Sequence, residues 1–330
     1  MEIVVFGAGS LGSLVGGLLA REHAVTLVGR DPHVAAVRES GLRVGGQFDF
    51  EVAPAATTDG TDLAADLAVV TVKAFDTEEA AETLATDEFD AALSLQNGMG
   101  NEETLARFLD CPVLAGTVTY GAVLREPGVV ECTGRGEVVL GPRDGSASEN
   151  GASDGDVSDR ETADESVSET ADRVGEAFRA AGIETTVADD MPRRLWEKLA
   201  VNAAINATTA LARVENGAVR DGPAREVAAD AARETARVGR AEGVEFSDDE
   251  AVRAVERVAE ATAANISSMH QDVLAGRRTE VEAINGYVCE RASEHARAGQ
   301  LEASVPVNRT LTNLLRAWEA ERAGGRSEST

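Results

Sequence analysis

Lysine is nearly absent from this sequence. Of the 31 basic residues, 29 are arginine and two, Lys73 and Lys198, are lysine, whereas 58 residues are acidic, for a net charge of −27. A field of that sign repels phosphate backbones and anionic lipids, so we expect no nucleic-acid or membrane partner. The two lysines are either chance survivors on the surface or residues that arginine cannot replace, because only an amine loses its proton near neutral pH.

An acid-rich, lysine-poor composition is typical of cytoplasmic proteins from salt-loving organisms. At about 1 M salt the Debye length falls to about 3 Å, so surface carboxylates barely repel one another. Such a composition therefore predicts a halophilic protein.

Cysteine and long apolar segments are scarce as well. The three cysteines form no CxxC pair and are odd in number, so the sequence predicts neither a disulfide framework nor a metal site. The start MEIVVFGAGS has no basic leader, and no segment stays apolar for about 18 residues. We therefore expect a reduced, cytoplasmic protein.

Apolar strand patterns alternate with helical patterns in the first part of the chain. The predicted strands lie at 2–6, 24–28, within 65–73, at 92–98 and at 113–121. This alternation favours a parallel sheet covered by helices. The acidic, Gly- and Ser-rich residues 143–168 are predicted to be an exposed, mobile insertion, after which a helix near 168–181 and a strand, IETTVA, return the chain to this domain.

No strand pattern appears in the last 140 residues. Helical patterns cover 193–212, 223–242, 248–264, 279–298 and 308–322. We therefore predict two domains, an α/β domain over residues 1–190 and an all-helical domain over residues 191–330.

A glycine-rich loop follows the first strand. Gly7, Gly9 and Gly12 form GxGxxG, in which the first glycine makes a tight turn, the second lets the backbone approach a pyrophosphate and the third lets helix pack on strand. Free N–H groups at the helix N-terminus would bind the phosphates. A purely structural turn is the alternative. We predict a Rossmann dinucleotide-binding domain whose loop contacts the cofactor through Gly7, Ala8, Gly9, Ser10, Leu11 and Gly12.

The end of the second strand bears on the choice of cofactor. The strand ends VGRD, with Arg30 before Asp31. Arginine pairs with a 2′-phosphate, whereas an aspartate in this region would bind the ribose hydroxyls of NADH. We predict NADPH, with Arg30 as a ligand, and leave NADH as the alternative.

One helical segment, LWEKLAVNAAINATTALA, carries polar groups on an otherwise apolar surface. Lys198, Asn202 and Asn206 are spaced four apart and share a strip about 80° wide. Burying unpaired amides or an ammonium is costly, so these groups should face a polar cleft or a ligand. A solvated helix edge is the alternative, but asparagine is a poor helix former that such an edge would not favour.

Other polar residues follow predicted strands or lie in the predicted helical domain. Asn97 in LQNGMG and Lys73 in TVKAFD lie at the sheet edge where ligands bind. Asn265, Ser268 and Glu280 lie in NISSMHQDVLAGRRTEVEAINGY, where Glu280 is predicted to face inward. Thr279 and Glu282 read as a capping box, and His270 as a loop or surface histidine.

Taken in order, these motifs resemble those of ketopantoate reductases. The matching segments are GAGSLG, TVKAF, LQNGMG, WEKLAVNAAIN, SSMHQD, TEVEAINGY and VPVNRTL, and they span nearly the whole chain except the insertion. The resemblance implies NADPH-dependent reduction of 2-dehydropantoate to (R)-pantoate, on the route to pantothenate and coenzyme A. It also implies a site in a cleft between a Rossmann domain and a helical domain.

The resemblance assigns roles to individual residues. Lys198 corresponds to the catalytic lysine, which we interpret as a general acid for the ketone oxygen. Lys73, Asn97 and Glu280 correspond to positions near the cofactor. The substrate-binding positions correspond to Asn97, Asn202, Asn206, Asn265, Ser268 and Glu280.

Two rival functions stay open from the sequence. One is a related two-domain dehydrogenase of another hydroxyacid or a sugar phosphate, and the other is a non-catalytic dinucleotide sensor, which would have no use for the lysine and asparagine strip. A homodimer is possible, but no residue pattern decides the oligomeric state.

Overall fold

The structure is a computed structural model that describes residues 1–86, 88–144, 157–300 and 304–325. The chain forms two compact units. The first comprises Met1–Gln96 and Gly100–Met191, and the second comprises Asn97–Met99 and Pro192–Thr330. The short segment Asn97–Met99 therefore groups with the helical unit although its neighbours in sequence do not.

The first unit contains all twelve strands found among the described residues. They are β1 Glu2–Phe6, β2 Ala24–Val28, β3 Leu42–Gly46, β4 Phe50–Val52, β5 Ala55–Thr57, β6 Ala64–Val70, β7 Glu88–Ser94, β8 Val113–Val118, β9 Gly121–Glu126, β10 Val129–Gly134, β11 Val138–Pro142 and β12 Thr185–Val187. Its helices are α1 Ser10–Leu19, α2 His33–Ser40, α3 Thr77–Leu84, α4 Asn101–Phe108 and α5 Val157–Ala180.

Eight strands form the main sheet, in the order β12-β11-β8-β7-β6-β1-β2-β5. From β5 to β8 all neighbours are parallel. The chain leaves β1 first toward β2 and β5, and then returns to the other side of β1 for β6, β7 and β8. This reversal is the strand order of a dinucleotide-binding domain, in which the ligand lies at the switch point beside β1. The predicted α/β class, with a Rossmann domain before a helical region, is confirmed.

The central strands are buried on both faces. Ile3, Val4 and Val5 are at most 3% exposed, and Leu67 to Val70 of β6 are fully buried. Because helices cover both sides of a parallel sheet, its strands read as continuous apolar runs instead of alternating ones. The run EIVVF therefore identified β1 from the sequence alone.

A second sheet, in the order β4-β3-β10-β9, was not predicted. We had predicted a strand at 113–121 and none after it until IETTVA at 183–188, whereas β8 ends at Val118 and a β9–β10 hairpin follows, turning at Pro127 and Gly128. Strand β10 also pairs in parallel with β3. That pairing joins residues about 85 positions apart, and a local pattern carries no sign of it.

The acidic insertion differs from the prediction where it can be followed. Residues 145–156, within the predicted insertion at 143–168, lie outside the described residues. From Val157 the chain is already helical, so α5 begins about ten residues before the helix that we had predicted near residue 168. Its later part packs Ala171, Val174 and Phe178 into the core of the first unit.

The second unit is helical. Its helices are α6 Met191–Ala212, α7 Gly222–Ala241, α8 Asp248–Ala261, α9 Ser268–Leu274, α10 Tyr287–Arg297 and α11 Pro306–Gly325, with a 3-10 helix at Asn216–Arg220 and a π-helical segment at Glu282–Gly286. Helix α9 was not predicted, and the helix predicted at 279–298 is observed as the π-helical segment followed by α10. Among the described residues, no helix is both long enough and apolar enough to cross a bilayer.

Helix α6 is buried along most of its surface. Trp196, Leu199 and Ala203 pack in one apolar cluster, and Ala200, Ala204 and Ile205 pack in another with alanines of α7. Small residues let α7 approach closely, and an added Cβ at Gly239 would lie 3.1 Å from the Trp196 ring. A helix so enclosed has little room for polar groups that serve no purpose.

Candidate active site

The glycine loop connects β1 to α1 at the switch point of the sheet. Gly7 has φ +112°, and an added Cβ would lie 2.6 Å from Val72 N, so only glycine fits there. An added Cβ at Gly12 would lie 2.2 Å from Gly7 O and 2.5 Å from Thr71 Oγ1. Both glycines are therefore required by the packing of α1 on β1 and β6.

Gly9 differs from its two partners. An added Cβ there would meet only Gly7 O, at 3.9 Å, so the protein itself leaves this side of the loop open. Gly9 is also the N-cap of α1 and, having no side chain, forms no side-chain capping bond to the helix N-terminus. An open approach to uncapped N–H groups is what a pyrophosphate needs, and the loop fits a dinucleotide.

Side chains elsewhere in the loop are engaged within the first unit. Ala8 is 7% exposed and its N–H donates to Val28 O at 2.8 Å. Ser10 Oγ accepts from Leu124 N of β9 at 3.0 Å, and Leu11 packs on the apolar core. Ala8 and Leu11 would therefore contribute to cofactor binding through backbone atoms, whereas the Ser10 hydroxyl keeps its own O–H as a donor.

Helix α1 is also held by a buried histidine that we had not predicted. His33 Nδ1 accepts from Gly128 N at 3.0 Å, so Nε2 carries the proton and donates to Ser13 Oγ at 2.9 Å. The ring is 5% exposed, and burial lowers the pKa of His33. This neutral imidazole joins α1 to the β9–β10 turn of the second sheet.

The two residues on which the predicted choice of cofactor depends, Arg30 and Asp31, follow β2. The Arg30 side chain is 88% exposed and meets the Asp76 carboxylate at 3.5 Å, a weak surface pair that a phosphate could displace. Asp31 Oδ1, by contrast, accepts from Ala35 N at 3.1 Å and serves helix α2. Both residues are exposed, but one carboxylate oxygen of Asp31 is engaged by helix α2, whereas Arg30 has only its weak pair with Asp76 to give up.

Lys73 lies three residues after β6, as the N-cap of a 3-10 turn at Ala74–Asp76. The adjoining loop is fixed by Gln96, a buried residue that we had not predicted. Gln96 Nε2 donates to Val72 O at 3.2 Å and to Thr77 Oγ1 at 2.7 Å. Thr77 Oγ1 also lies 2.9 Å from Asn101 Oδ1. The residues just before Lys73 and Asn97 are therefore joined at the carboxyl edge of the sheet.

In the second unit, α6 carries the predicted polar strip. Nζ of Lys198 has less than 1 Å² of accessible surface, Asn202 is half-buried and Asn206 is 7% exposed. Thr209 lies on the same strip by helical geometry. Its hydroxyl is 2.8 Å from Ser267 Oγ, which joins the strip to the segment that begins α9.

That segment carries two of the predicted substrate ligands. Asn265 and Ser268 are exposed, and Asn265 O accepts from Asn216 N at 2.9 Å. Ser267 caps α9 by accepting from His270 N at 3.2 Å. The prediction that His270 lies at the surface is wrong, because the ring is 4% exposed and Nδ1 lies 3.1 Å from Val214 O.

Glu280 is buried, at 5% exposure, in agreement with the inward direction that we had expected. The capping box predicted beside it is wrong. Thr279 gives its hydroxyl to Glu319 Oε1 at 2.6 Å, and Glu282 forms a bidentate pair with Arg316, with both distances 2.6 Å. Partners on α11, about 35 to 40 residues away, replace the local pairing.

Asn97 belongs to the same unit as these residues. Met99 N donates to Ala283 O at 3.1 Å. Gly98 has φ +86°, and an added Cβ would lie 2.6 Å from Ala283 Cβ, so the contact requires glycine. The LQNGMG and TEVEAING motifs, about 185 residues apart in sequence, therefore meet directly.

A buried polar network supports α6 from behind and was not predicted. Asn285 Nδ2 donates to Ala203 O and to Asn308 Oδ1, each at 2.9 Å. Asn308 Nδ2 donates to Glu234 Oε2 at 2.9 Å. The same carboxylate accepts from the N–H groups of Val307 and Asn308 and so caps α11. The motif VPVNRTL offered the only sequence signal, and it gave no role.

The structure thus assembles the predicted residues in two sets. The first unit holds the glycine loop, Arg30 and Lys73 around the carboxyl edge of the sheet. The second unit holds Asn97 and the residues of α6, the 265–268 segment and Glu280. Among the described residues, no cluster of three or more His, Cys, Asp or Glu side chains is placed to hold a metal ion.

Comparison with known proteins covers both units. The family model described as ketopantoate reductase PanE/ApbA matches residues 3–145, and the model of its C-terminal part matches residues 190–319. A 2-dehydropantoate 2-reductase of Halobacterium salinarum is 45% identical over 96% of this chain and 98% of its own length. One of Archaeoglobus fulgidus is 40% identical over 97% and 98%.

Solved structures agree with these matches. A PanE/ApbA family ketopantoate reductase from Ralstonia eutropha aligns with a TM-score of 0.81 and 33% identity, covering 98% of this chain and all of that one. A D-mandelate dehydrogenase solved with NADH and anilino(oxo)acetate aligns with a TM-score of 0.83 at 23% identity, covering 98% and 99%, which shows a shared fold. The chain therefore belongs to the ketopantoate reductase family, a family of oxidoreductases.

Proposed function

We propose that this protein reduces 2-dehydropantoate to (R)-pantoate with NADPH, on the route to pantothenate and coenzyme A. The observation that carries the proposal is the polar strip of Lys198, Asn202 and Asn206 on a helix that is otherwise buried among apolar side chains. Full-length relatives named 2-dehydropantoate 2-reductase, at up to 45% identity, support the choice of substrate.

The cofactor would be held mainly by the first unit. The open face of Gly9 and the uncapped start of α1 suit the pyrophosphate, and the exposed guanidinium of Arg30 suits a 2′-phosphate. Lys73, Asn97 and Glu280 complete the proposed cofactor contacts. When bound, the nicotinamide supplies the hydride for the C2 ketone of the substrate.

The substrate would be bound by amides and a hydroxyl. Hydrogen bonds from neutral groups hold a carboxylate and a hydroxyl without placing more full charges in the site. Glu280 would accept from the substrate hydroxyl and face the ammonium of Lys198. The proposed substrate ligands are Asn97, Asn202, Asn206, Asn265, Ser268 and Glu280.

Lys198 has the central role. Negative charge develops on the ketone oxygen as hydride arrives at carbon, and a positioned cation that can also give up a proton stabilises that charge best. An arginine would stabilise the oxyanion but would not release its proton readily. The Nζ of Lys198 is shielded from solvent, which strengthens its interaction with the developing charge. We therefore propose Lys198 as the general acid.

The setting of this activity follows from the composition. We propose a cytoplasmic, halophilic enzyme with a small-molecule substrate and neither nucleic-acid nor membrane partners, because a charge of −27 repels both. A dimeric ketopantoate reductase from Staphylococcus aureus shares the fold at 19% identity, so a homodimer is one assembly to test by light scattering.

The experiment that tests the function is a substrate panel. NADPH oxidation would be followed at high salt with 2-dehydropantoate, pyruvate, 2-oxoisovalerate and phenylglyoxylate. We expect kcat/KM for 2-dehydropantoate to exceed that for each other acid by at least about tenfold, a discrimination of roughly 1.4 kcal/mol. A better rate with phenylglyoxylate would favour another hydroxyacid dehydrogenase. NADPH binding without turnover of any acid would favour a dinucleotide sensor.

A further inference from the structure

Helix α11 bonds to the chain on both sides of Glu280. Glu319 Oε1 accepts from both the N–H of Thr279, at 2.7 Å, and its hydroxyl, at 2.6 Å. One turn earlier on α11, Arg316 forms its bidentate pair with Glu282. Arg316 and Glu319 are three residues apart and so project from the same side of the helix. A cation and an anion of α11 thus hold the positions just before and two after Glu280.

The backbone around Glu280 is buried and bonded as well. Thr279 and Val281 are at most 1% exposed. The N–H of Val281 points back to Thr279 Oγ1 at 3.4 Å, and Val281 O accepts from Gly286 N at 2.8 Å. Because the Thr279 hydroxyl donates to Glu319 and accepts from Val281, it fixes the chain across Glu280.

The approach to this segment is fixed from the other end. Arg277 donates from its backbone N–H to Asp272 O and from Nε to Asp272 Oδ1, each at 2.9 Å. The Asp272 side chain is only 4% exposed. Helix α11 has its own anchor, because Glu234 caps its N-terminus. The contacts of Glu319 therefore connect two elements that are each held independently.

Glu319 and Arg316 bond to different residues of this segment. The pair of Arg316 with Glu282 already joins α11 to the segment, and one oxygen of Glu319 accepts two further short hydrogen bonds from Thr279, the residue adjoining Glu280. Displacing a group by about 1 Å can cost about 10²-fold in rate. We propose that Glu319 is a positioning residue that acts through Thr279 to set the place of the Glu280 carboxylate against the substrate. This inference rests on the substrate-binding role proposed for Glu280.

The test compares four substitutions with a matched control. Glu319→Ala removes both acceptor bonds, whereas Glu319→Gln retains an acceptor oxygen. Thr279→Val keeps the size of the buried side chain and loses only its hydroxyl, whereas Thr279→Ser keeps the hydroxyl. Glu256→Gln is the control, since it breaks an ion pair between Arg225 and Glu256 of 2.7 Å on α7 and α8. For each variant we would measure KM and kcat for 2-dehydropantoate, NADPH affinity by fluorescence, and Tm.

We expect Glu319→Ala to lower kcat/KM at least about tenfold, mainly through the KM of the oxoacid, with NADPH affinity within about twofold of wild type. Thr279→Val should also lower kcat/KM through KM. Glu319→Gln and Thr279→Ser should keep most of the wild-type kcat/KM. Thr279→Val carries the test if Glu319→Ala does not fold.

Two results would overturn the inference. One is a Glu319→Ala or Thr279→Val enzyme with the kinetics of the Glu256→Gln control. The other is a loss of NADPH affinity and Tm in step with the loss of kcat/KM, which would mean a general structural role. A wild-type enzyme that does not reduce 2-dehydropantoate would instead refute the proposed function.

Discussion

Alanine substitutions at two glycines of one loop should have opposite consequences. Gly12→Ala places a methyl group 2.2 Å from Gly7 O and 2.5 Å from Thr71 Oγ1, inside the protein. Gly9→Ala places the same group where the nearest protein atom is Gly7 O at 3.9 Å. The first change should therefore affect folding, and the second should affect whatever lies against the loop.

The sizes follow from these distances. Overpacking of this kind costs about 1–3 kcal/mol, so Gly12→Ala should lower the free energy of unfolding by that amount. At Gly9, which has φ −83° and ψ −158°, alanine fits without strain. Replacing glycine by alanine at an N-cap costs up to about 1 kcal/mol. Restricting the unfolded chain returns about 0.4–1 kcal/mol, so the net change in stability should be small.

Cofactor binding should be weakened more by Gly9→Ala than by Gly12→Ala. The methyl group of Gly9→Ala would occupy the approach proposed for the pyrophosphate, so we expect the Kd of NADPH to rise at least about tenfold, or roughly 1.4 kcal/mol. Urea unfolding would report stability, and nicotinamide fluorescence would report binding, on the same protein samples.

Two outcomes would refute this reasoning. Wild-type NADPH affinity in Gly9→Ala would mean that the open face of the loop is not the pyrophosphate site. A loss of stability in Gly9→Ala as large as that in Gly12→Ala would mean that the contacts within the loop do not decide the cost.

Two further predictions concern the first unit. Burial lowers the pKa of His33, so its neutral form stabilises the fold above about pH 6.5, and this contribution is lost as pH falls. Between about pH 7.5 and 5.5 the wild-type protein should therefore lose more free energy of unfolding, measured in urea, than His33→Gln. Equal losses would contradict the assignment. Arg30→Ala should raise KM for NADPH about tenfold while leaving KM for NADH within about twofold, since a charge-assisted bond to phosphate is worth roughly 1.5–3 kcal/mol; an equal change for both cofactors would remove Arg30 from 2′-phosphate recognition.

Local patterns were enough to predict the main elements of the proposed site. The apolar run at 2–6, the glycine spacing after it and the helical period of residues 193–212 each depend on neighbours in sequence. The corresponding elements are β1, the loop to α1, and α6 at Met191–Ala212. A buried helix face gives a periodic apolar pattern and a fully buried strand gives a continuous apolar run, so both can be predicted from the sequence.

Long-range pairing could not be read in the same way. The second sheet depends on β3 pairing with β10, and Thr279 depends on a carboxylate 40 residues later. The spacing of Thr279 and Glu282 satisfied the local rule for a capping box. Tertiary partners prevailed, because Glu319 and Arg316 offer charged acceptor and donor groups at 2.6 Å.

The burial of two histidines could not be predicted from local sequence either. His33 and His270 are both buried, but neither stands in a periodic apolar pattern that predicts burial. Each bonds a backbone group far away in sequence, at Gly128 or Val214, and His33 also bonds the Ser13 hydroxyl. A residue type with polar nitrogens can be placed in the core only when such partners exist, and these partners appear only in the folded chain.

Chemical rescue of Lys198→Ala is the most direct test of the central claim, that the Lys198 ammonium protonates the ketone oxygen. We predict that kcat for 2-dehydropantoate falls at least about 10²-fold in this variant, that NADPH affinity is retained, and that added ethylamine restores part of the rate. A Lys198→Ala enzyme that folds, binds NADPH and keeps kcat within about twofold of wild type would contradict the account.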